Sequence, residues 1–356
     1  MKFLVINPGS TSTKIAVFED TTNTFTLNIK HTTDEINCFP RIINQYQFRK
    51  EFIIYALQKE EIDVNSFDAI VGRGGLVKPI PGGVYRVNET MISDLRKEIM
   101  GEHPSNLGGL LALEIAKEIG KPEMAFIVDP VVVDELCSLA RLSGLPELPR
   151  LSIFHALNQK AVARRYAKEV GKKYEELNLI VCHLGGGITV GAHEKGKVID
   201  VNNGLDGEGP YSPERSGTLP AGALVKLCYS GKYTFIEVKK MLTGKGGLVA
   251  HLGTNSAIDV ESKINAGDEK ANLLYEGIAY NIAKYIGAFA TTMKGKVDGI
   301  LITGGIAYSK ILCDWIEQRV NFIAPVKIFP GEDEMIALAE GVHYALNGEI
   351  PILEYK

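Results

Sequence analysis

The chain has 356 residues, 45% apolar and 23% charged, with 39 Lys plus Arg against 43 Asp plus Glu for a net charge of −4. That balance excludes a disordered, collagenous or coiled-coil chain, and without a positive field no nucleic-acid partner is expected. Five scattered cysteines (Cys38, Cys137, Cys182, Cys228 and Cys313) include no C-x-x-C pair, so neither a disulfide framework nor a zinc site is expected. No run of 18 apolar residues occurs, and the opening MKFLVINPGS does not read as a secretion signal. A cytoplasmic protein of two domains, with no membrane partner, is the expectation. Glycine, at 37 residues, is about a tenth of the chain against a usual ~7%.

The apolar run Phe3–Ile6 reads as a buried strand and 15–18 as its hairpin partner, joined by a small, hydroxyl-rich turn at 7–14. A helical pattern covers 41–60. A short strand at 68–75 ends in Gly74-Gly75. Helices are predicted over 89–98 and 106–119, the second after a Pro-Ser-Asn start signal, and a strand over 124–129 stops at Asp129-Pro130. The second half repeats the plan. A strand from 179 runs into Gly185-Gly186-Gly187, a meander follows over 188–193 and 197–202, and a strand over 298–303 ends in Gly304-Gly305. An apolar helix pattern spans 273–289, and the C-terminal segment 333–355 is helical to 346.

The repetition predicts two α/β domains of one ancestry facing each other across a cleft, each contributing a turn and a strand-end glycine pair. The boundaries are expected at 1–150 plus 333–356 for the first domain and 151–332 for the second. Neither G-x-x-x-x-G-K-[ST] nor G-x-G-x-x-G occurs. The four glycine turns still suit a nucleotide, because a backbone without Cβ can turn several N–H donors toward phosphate. Ser10, Thr11, Ser12 and Thr13, with Lys14, suit terminal phosphates.

These residues carry a resemblance. Asn-Pro-Gly-Ser-Thr-Ser-Thr-Lys at 7–14, Arg73-Gly-Gly, Ile-Val-Asp129-Pro, Phe154-His155 and His183-Leu-Gly-Gly-Gly are similar to motifs of the acetate and butyrate kinase family. So are Arg215-Ser-Gly, Thr303-Gly-Gly-Ile and Pro-Gly-Glu-Asp-Glu-Met-Ile-Ala at 330–337, and all run in family order along nearly the whole chain. The resemblance implies two duplicated ribonuclease-H-like domains, the superfold of actin, sugar kinases and heat-shock ATPases. It implies ATP-dependent phosphorylation of a short-chain fatty acid, butyrate or a branched relative, to an acyl phosphate plus ADP. Acetate or propionate kinase is the alternative; an actin- or chaperone-like ATPase switch is the more remote one.

By that resemblance Asn7 and Glu332 hold Mg2+, while Lys14 contacts the phosphates of ATP or ADP. Arg73 holds the substrate carboxylate, and Asp129, His155 and Arg215 are catalytic. His183, Gly185, Gly186, Gly187, Gly304, Gly305, Ile306 and Ala307 bind nucleotide, with Thr254, Asn255 and Ser256 near the adenosine. Family members assemble through the second domain, so a homodimer or larger homo-oligomer is expected. Charge supports the chemistry. MgATP and a carboxylate repel each other, and Arg73 and Arg215 stand in glycine-rich loops able to present a guanidinium fork. A carboxylate nucleophile, with a pKa near 4–5, is already ionised at pH 7, so Asp129 is expected to orient groups rather than take a proton.

Overall fold

The computed structural model describes residues 1–356. Its strands are β1 (Lys2–Pro8), β2 (Ser12–Glu19), β3 (Thr22–Lys30), β4 (Ala69–Arg73), β5 (Val84–Arg86), β6 (Ala125–Val128), β7 (Asn178–Leu184), β8 (Ile188–Glu194), β9 (Lys197–Val201), β10 (Gly299–Gly304), β11 (Val326–Pro330) and β12 (Ile352–Glu354). The chain divides into two units, Met1–Val133 with Asp333–Lys356, and Asp134–Glu332.

The first unit holds a seven-stranded sheet of order β12-β5-β6-β4-β1-β2-β3. Its β1 is antiparallel to β2 and parallel to β4, so the predicted hairpin forms, with Pro8 opposite Thr13. The run Phe3–Ile6 is buried on both faces, as an interior strand requires. Helix Asn106–Glu118 lies against β4 at Gly72 and Gly108, where a Cβ on either residue would overlap the other strand's or helix's backbone. That close approach sets the exit angle of β4 and hence the position of Arg73. Helix Glu334–Leu346 buries Leu338 and Val342 in this unit, and Tyr355 ties down the chain end by donating to Asp94 at 2.8 Å.

The second unit repeats the five central strands in the order β11-β10-β7-β8-β9. As in the first, the leading strand pairs antiparallel with the next and parallel with the strand that ends in glycine. Every residue of β7 is buried, and its side chains alternate between two layers. Leu179 and Val181 meet Val162, Ala163 and Ala167 of helix Ala156–Glu169. Ile180, Cys182 and Leu184 face the core built on Tyr275, Ile278, Ile282 and Ile286 of helix Glu269–Thr292. The parity of β7 therefore directs His183 to the same face as helix Ala156–Glu169.

The first boundary lies at 133/134 rather than 150/151. Residues 134–150 are bound to the second unit: Cys137 donates to the Ile199 carbonyl at 3.0 Å, Glu135 pairs with Lys160 at 2.9 Å and Arg150 with Asp200 at 2.8 Å. The helix predicted over 41–60 is Tyr46–Lys59 behind a short 3-10 turn at Ile42–Gln45. No helix is long and apolar enough to cross a membrane.

Candidate active site

In the first unit, the turn after β1 is fastened from beneath by a residue that the sequence reading missed. Arg49 is fully buried. Its guanidinium donates to the carbonyls of Gly9 and Ser12 at 2.8 Å and of Ser10 at 3.1 Å, and to Thr13 Oγ1 at 3.1 Å. Gln45 Oε1 takes two further bonds, at 2.8 and 3.1 Å. All these acceptors are neutral oxygens, and burial brings the guanidinium pKa down to about 10, which leaves it charged at neutral pH. Across each planar peptide the N–H points opposite to the carbonyl. With the carbonyls of Gly9 and Ser10 drawn inward, the N–H groups of Ser10 and Thr11 turn to the exposed side, beside the exposed Lys14. The result is a rigid loop edged with donors. No motif signals Arg49; a lone Arg in an amphipathic helix reads as surface.

Asn7 and Arg73 stand at the ends of neighbouring strands and share one carboxylate, that of Glu334. Arg73 grips it with both terminal nitrogens, at 2.8 and 3.0 Å, and Asn7 Nδ2 donates to it at 2.7 Å. Asn7 Oδ1 lies 3.4 Å from Arg73. Glu334 opens the helix packed on β1, which brings its carboxylate to Asn7; Glu332, also expected at the metal with Asn7, lies in the second unit. Asp129 is buried in the left-handed region at φ 37°, an uncommon conformation for a residue with a Cβ. It is held by exchange with Gly83, whose N–H it accepts at 2.7 Å and to whose carbonyl it donates at 3.0 Å.

In the second unit, His183 and His155 come together as stacked rings, 3.8 Å between centroids and 11° between planes. His183 Nδ1 lies 2.8 Å from Asn158 Oδ1 and its Nε2 3.2 Å from Glu332. His155 Nδ1 lies 2.8 Å from Thr189 Oγ1, and Thr189 faces His183 across the β7–β8 ladder. Arg215 packs its guanidinium on Gly187, where any Cβ would overlap it, and donates to the Gly204 carbonyl. The Ser212–Arg215 loop is itself pinned to the glycine turn by Ser212 Oγ donating to the Gly186 carbonyl at 2.6 Å. Burial lowers the Arg215 pKa, and the neighbouring Glu214 opposes that shift.

The remaining expected nucleotide contacts fall into two kinds. Asn255 donates to Glu214 at 2.6 Å, which connects it to the same loop. Ser256 caps helix Ala257–Asn265 by accepting the Asp259 N–H at 3.1 Å, and Thr254 donates to the Asp259 carboxylate at 3.0 Å. Gly304, at φ 96°, exchanges backbone bonds with Gly331, and its missing Cβ admits Leu184. Ile306 and Ala307 bury their side chains in the core, so only their backbone can meet a ligand.

A model of the acetokinase family matches residues 150–320. Butyrate kinase 2 of Clostridium acetobutylicum is 56% identical over 355 residues, covering 100% of this chain and 99% of that one. The chain belongs to the acetokinase family. A probable butyrate kinase of Bacteroides thetaiotaomicron is 55% identical over 357 residues and is covered completely. Solved family structures share the fold: the acetate kinase of Porphyromonas gingivalis has a TM-score of 0.79 at 19% identity, covering 96% of this chain and 98% of that one. A propionate kinase of Francisella tularensis gives 0.72, also at 19%, covering 95% and 98%.

Arg49→Lys is expected to destabilise the fold by at least ~2 kcal/mol in denaturant titration, because an ammonium cannot serve all these acceptors and each buried carbonyl left unsatisfied costs about 1–3 kcal/mol. A change within ~0.5 kcal/mol would show that the loop does not depend on the fork.

Proposed function

We propose that the chain transfers the terminal phosphoryl group of ATP to the carboxylate of a short-chain fatty acid, butyrate or a branched relative, giving an acyl phosphate and ADP, reversibly. The observation that carries this reading is the Arg73 fork, which grips a carboxylate, that of Glu334, with two nitrogens. The butyrate kinases among its relatives point to the same substrate class. Each methylene is worth only about 0.8 kcal/mol, so acids of neighbouring length are accepted with graded KM.

One oxygen of the ionised acid attacks the γ-phosphorus in line as the bond to the ADP oxygen breaks, and no proton need move. In the first unit, Arg73 anchors the acid after displacing Glu334, Asp129 orients the reacting groups, and Ser10, Thr11, Ser12 and Lys14 meet phosphoryl oxygens. In the second unit, Gly185–Gly187 and Gly304–Ala307 take the nucleotide through their backbone, with His183 and Asn255 beside them. There Arg215 and His155 stabilise the charge that develops on the transferring group. No cluster of three or more His, Cys, Asp or Glu side chains is present. Mg2+ keeps several waters and binds few protein carboxylates. Asn7 and the displaced Glu334 would hold it, Glu332 being engaged with His183, and it would neutralise phosphate charge. We also propose a homo-oligomer, supported by Leu273 and Tyr280, exposed on helix Glu269–Thr292 at 70% and 54%. A monomeric mass in light scattering at micromolar concentration would contradict it.

Steady-state kinetics separate the arginines. The acid's charge persists from ground state to transition state, so Arg73→Ala should raise the acid KM and leave the ATP KM nearly unchanged. Arg215→Ala should lower kcat by about 10³-fold. Glu334→Gln should lower the acid KM by roughly threefold or more at saturating magnesium, since the internal competitor is weakened. It should also raise the magnesium requirement more than Glu332→Gln does. Full activity in Arg215→Ala, or an unchanged acid KM in Arg73→Ala, would overturn these roles.

A further inference from the structure

A chain of buried polar groups leads from the interior of the second unit to His155. Tyr174 Oη lies 2.7 Å from His193 Nδ1, and His193 Nε2 lies 3.0 Å from Gln159 Oε1. Gln159 Nε2 donates to the Thr189 carbonyl at 3.1 Å and to Thr189 Oγ1 at 2.9 Å. Thr189 Oγ1 lies 2.8 Å from His155 Nδ1. His193, Gln159 and Thr189 are fully buried and Tyr174 nearly so. The fold makes room for the chain: a Cβ at Gly191 would lie 2.5 Å from Gln159 Oε1.

The proton directions follow one from another. A backbone carbonyl only accepts, so the nitrogen of the Gln159 amide faces Thr189 and its oxygen faces His193. The His193 proton is therefore on Nε2. Complete burial, with Lys160 and Arg164 near, holds the pKa of His193 well below its ordinary value, so the ring is neutral and Nδ1 accepts from Tyr174. Thr189 Oγ1 receives a Gln159 proton and directs its own to His155. Nδ1 of His155 is then an acceptor, and its single proton is on Nε2. The stacking agrees. Two imidazolium ions at 3.8 Å would repel.

We propose that Tyr174, His193, Gln159 and Thr189 are positioning residues that fix His155 as the neutral Nε2–H tautomer, so that it meets the transferring phosphoryl group as a hydrogen-bond donor. Catalytically this rests on the reading of His155 at that group. The tautomer itself does not. Fixing it in advance removes a proton rearrangement from the reaction and leaves a donor oriented before substrate arrives.

The test is a long-range 1H–15N correlation spectrum of the 15N-histidine-labelled full chain at neutral pH, with the His155 signals assigned by their loss in His155→Gln. The expected spectrum has an unprotonated Nδ1 and a protonated Nε2. A protonated Nδ1, in either the neutral or the charged ring, overturns the proposal. Thr189→Val should remove the tautomer preference and lower kcat about tenfold, the size of one lost hydrogen bond, with both KM values within twofold of wild type. Thr189→Ser should restore the spectrum and most of kcat. An Nε2–H spectrum with unaltered kcat in Thr189→Val, while His155→Gln is inactive, overturns the network's role and leaves His155 in place. Full activity in His155→Gln removes His155 from the reaction and the catalytic meaning of the network with it.

Discussion

A strand buried on both faces has no indifferent side chain, and β7 is such a strand. Because alternate residues enter different layers, one apolar row packs on helix Glu269–Thr292 and the other on helix Ala156–Glu169. His183 continues the second row. That single parity puts an imidazole against the first turn of helix Ala156–Glu169, where His155, Asn158 and Gln159 lie. The antiparallel partner β8 obeys the same rule, so Thr189, Gly191 and His193 stand opposite His183, Val181 and Leu179. A register shift of one residue would send all of these polar groups into an apolar layer, unsatisfied. The polar ladder and the apolar core thus specify each other.

The chemistry requires anions to be assembled, and the first unit meets that demand with guanidinium groups held in two distinct ways. Arg73 is paired with the Glu334 carboxylate, with which, on the proposed function, the substrate carboxylate competes. Arg49 has no carboxylate among its hydrogen-bond partners and spreads its charge over the carbonyls of one turn. The first arrangement suits exchange, since one carboxylate replaces another with similar geometry. The second suits permanence, because any exchange would strand several buried oxygens. A binding group and a framework group of the same residue type are separated by what their partners can do.

Much of the fold was legible in the sequence, because its central strands are continuous apolar runs closed by turn residues: Phe3–Ile6 before Asn7-Pro8-Gly9, the run from Leu179 before Gly185, and the run ending at Gly304-Gly305. The duplication was legible for the same reason. The domain boundary was not, since the breakers Gly144, Pro146 and Pro149 draw it to the far end of residues 134–150, whereas that segment attaches through Cys137, Glu135 and Arg150 to partners far along the chain. Motifs brought Asn7, Arg73, His155, His183 and Arg215 to notice. They did not show the hydrogen bond of Asn7 to Glu334, because Glu332 and Glu334, separated by one residue, fall in different units. Ser256 also caps a helix and Thr254 bonds Asp259 within its first turn, the ordinary use of hydroxyls before an apolar run. Arg49, Gln159 and Thr189 left no signal, because their roles exist only in three-dimensional contact.

The central claim is that a fatty acid carboxylate is the phosphoryl acceptor. Trapping the acyl phosphate with hydroxylamine, while ADP release is followed in the same sample, tests it most directly. With MgATP and straight or branched acids of two to six carbons, acyl hydroxamate should form in step with ADP and saturate with acid concentration, most strongly near four carbons. ADP release at the same rate without acid, and no hydroxamate with any of them, would contradict the account.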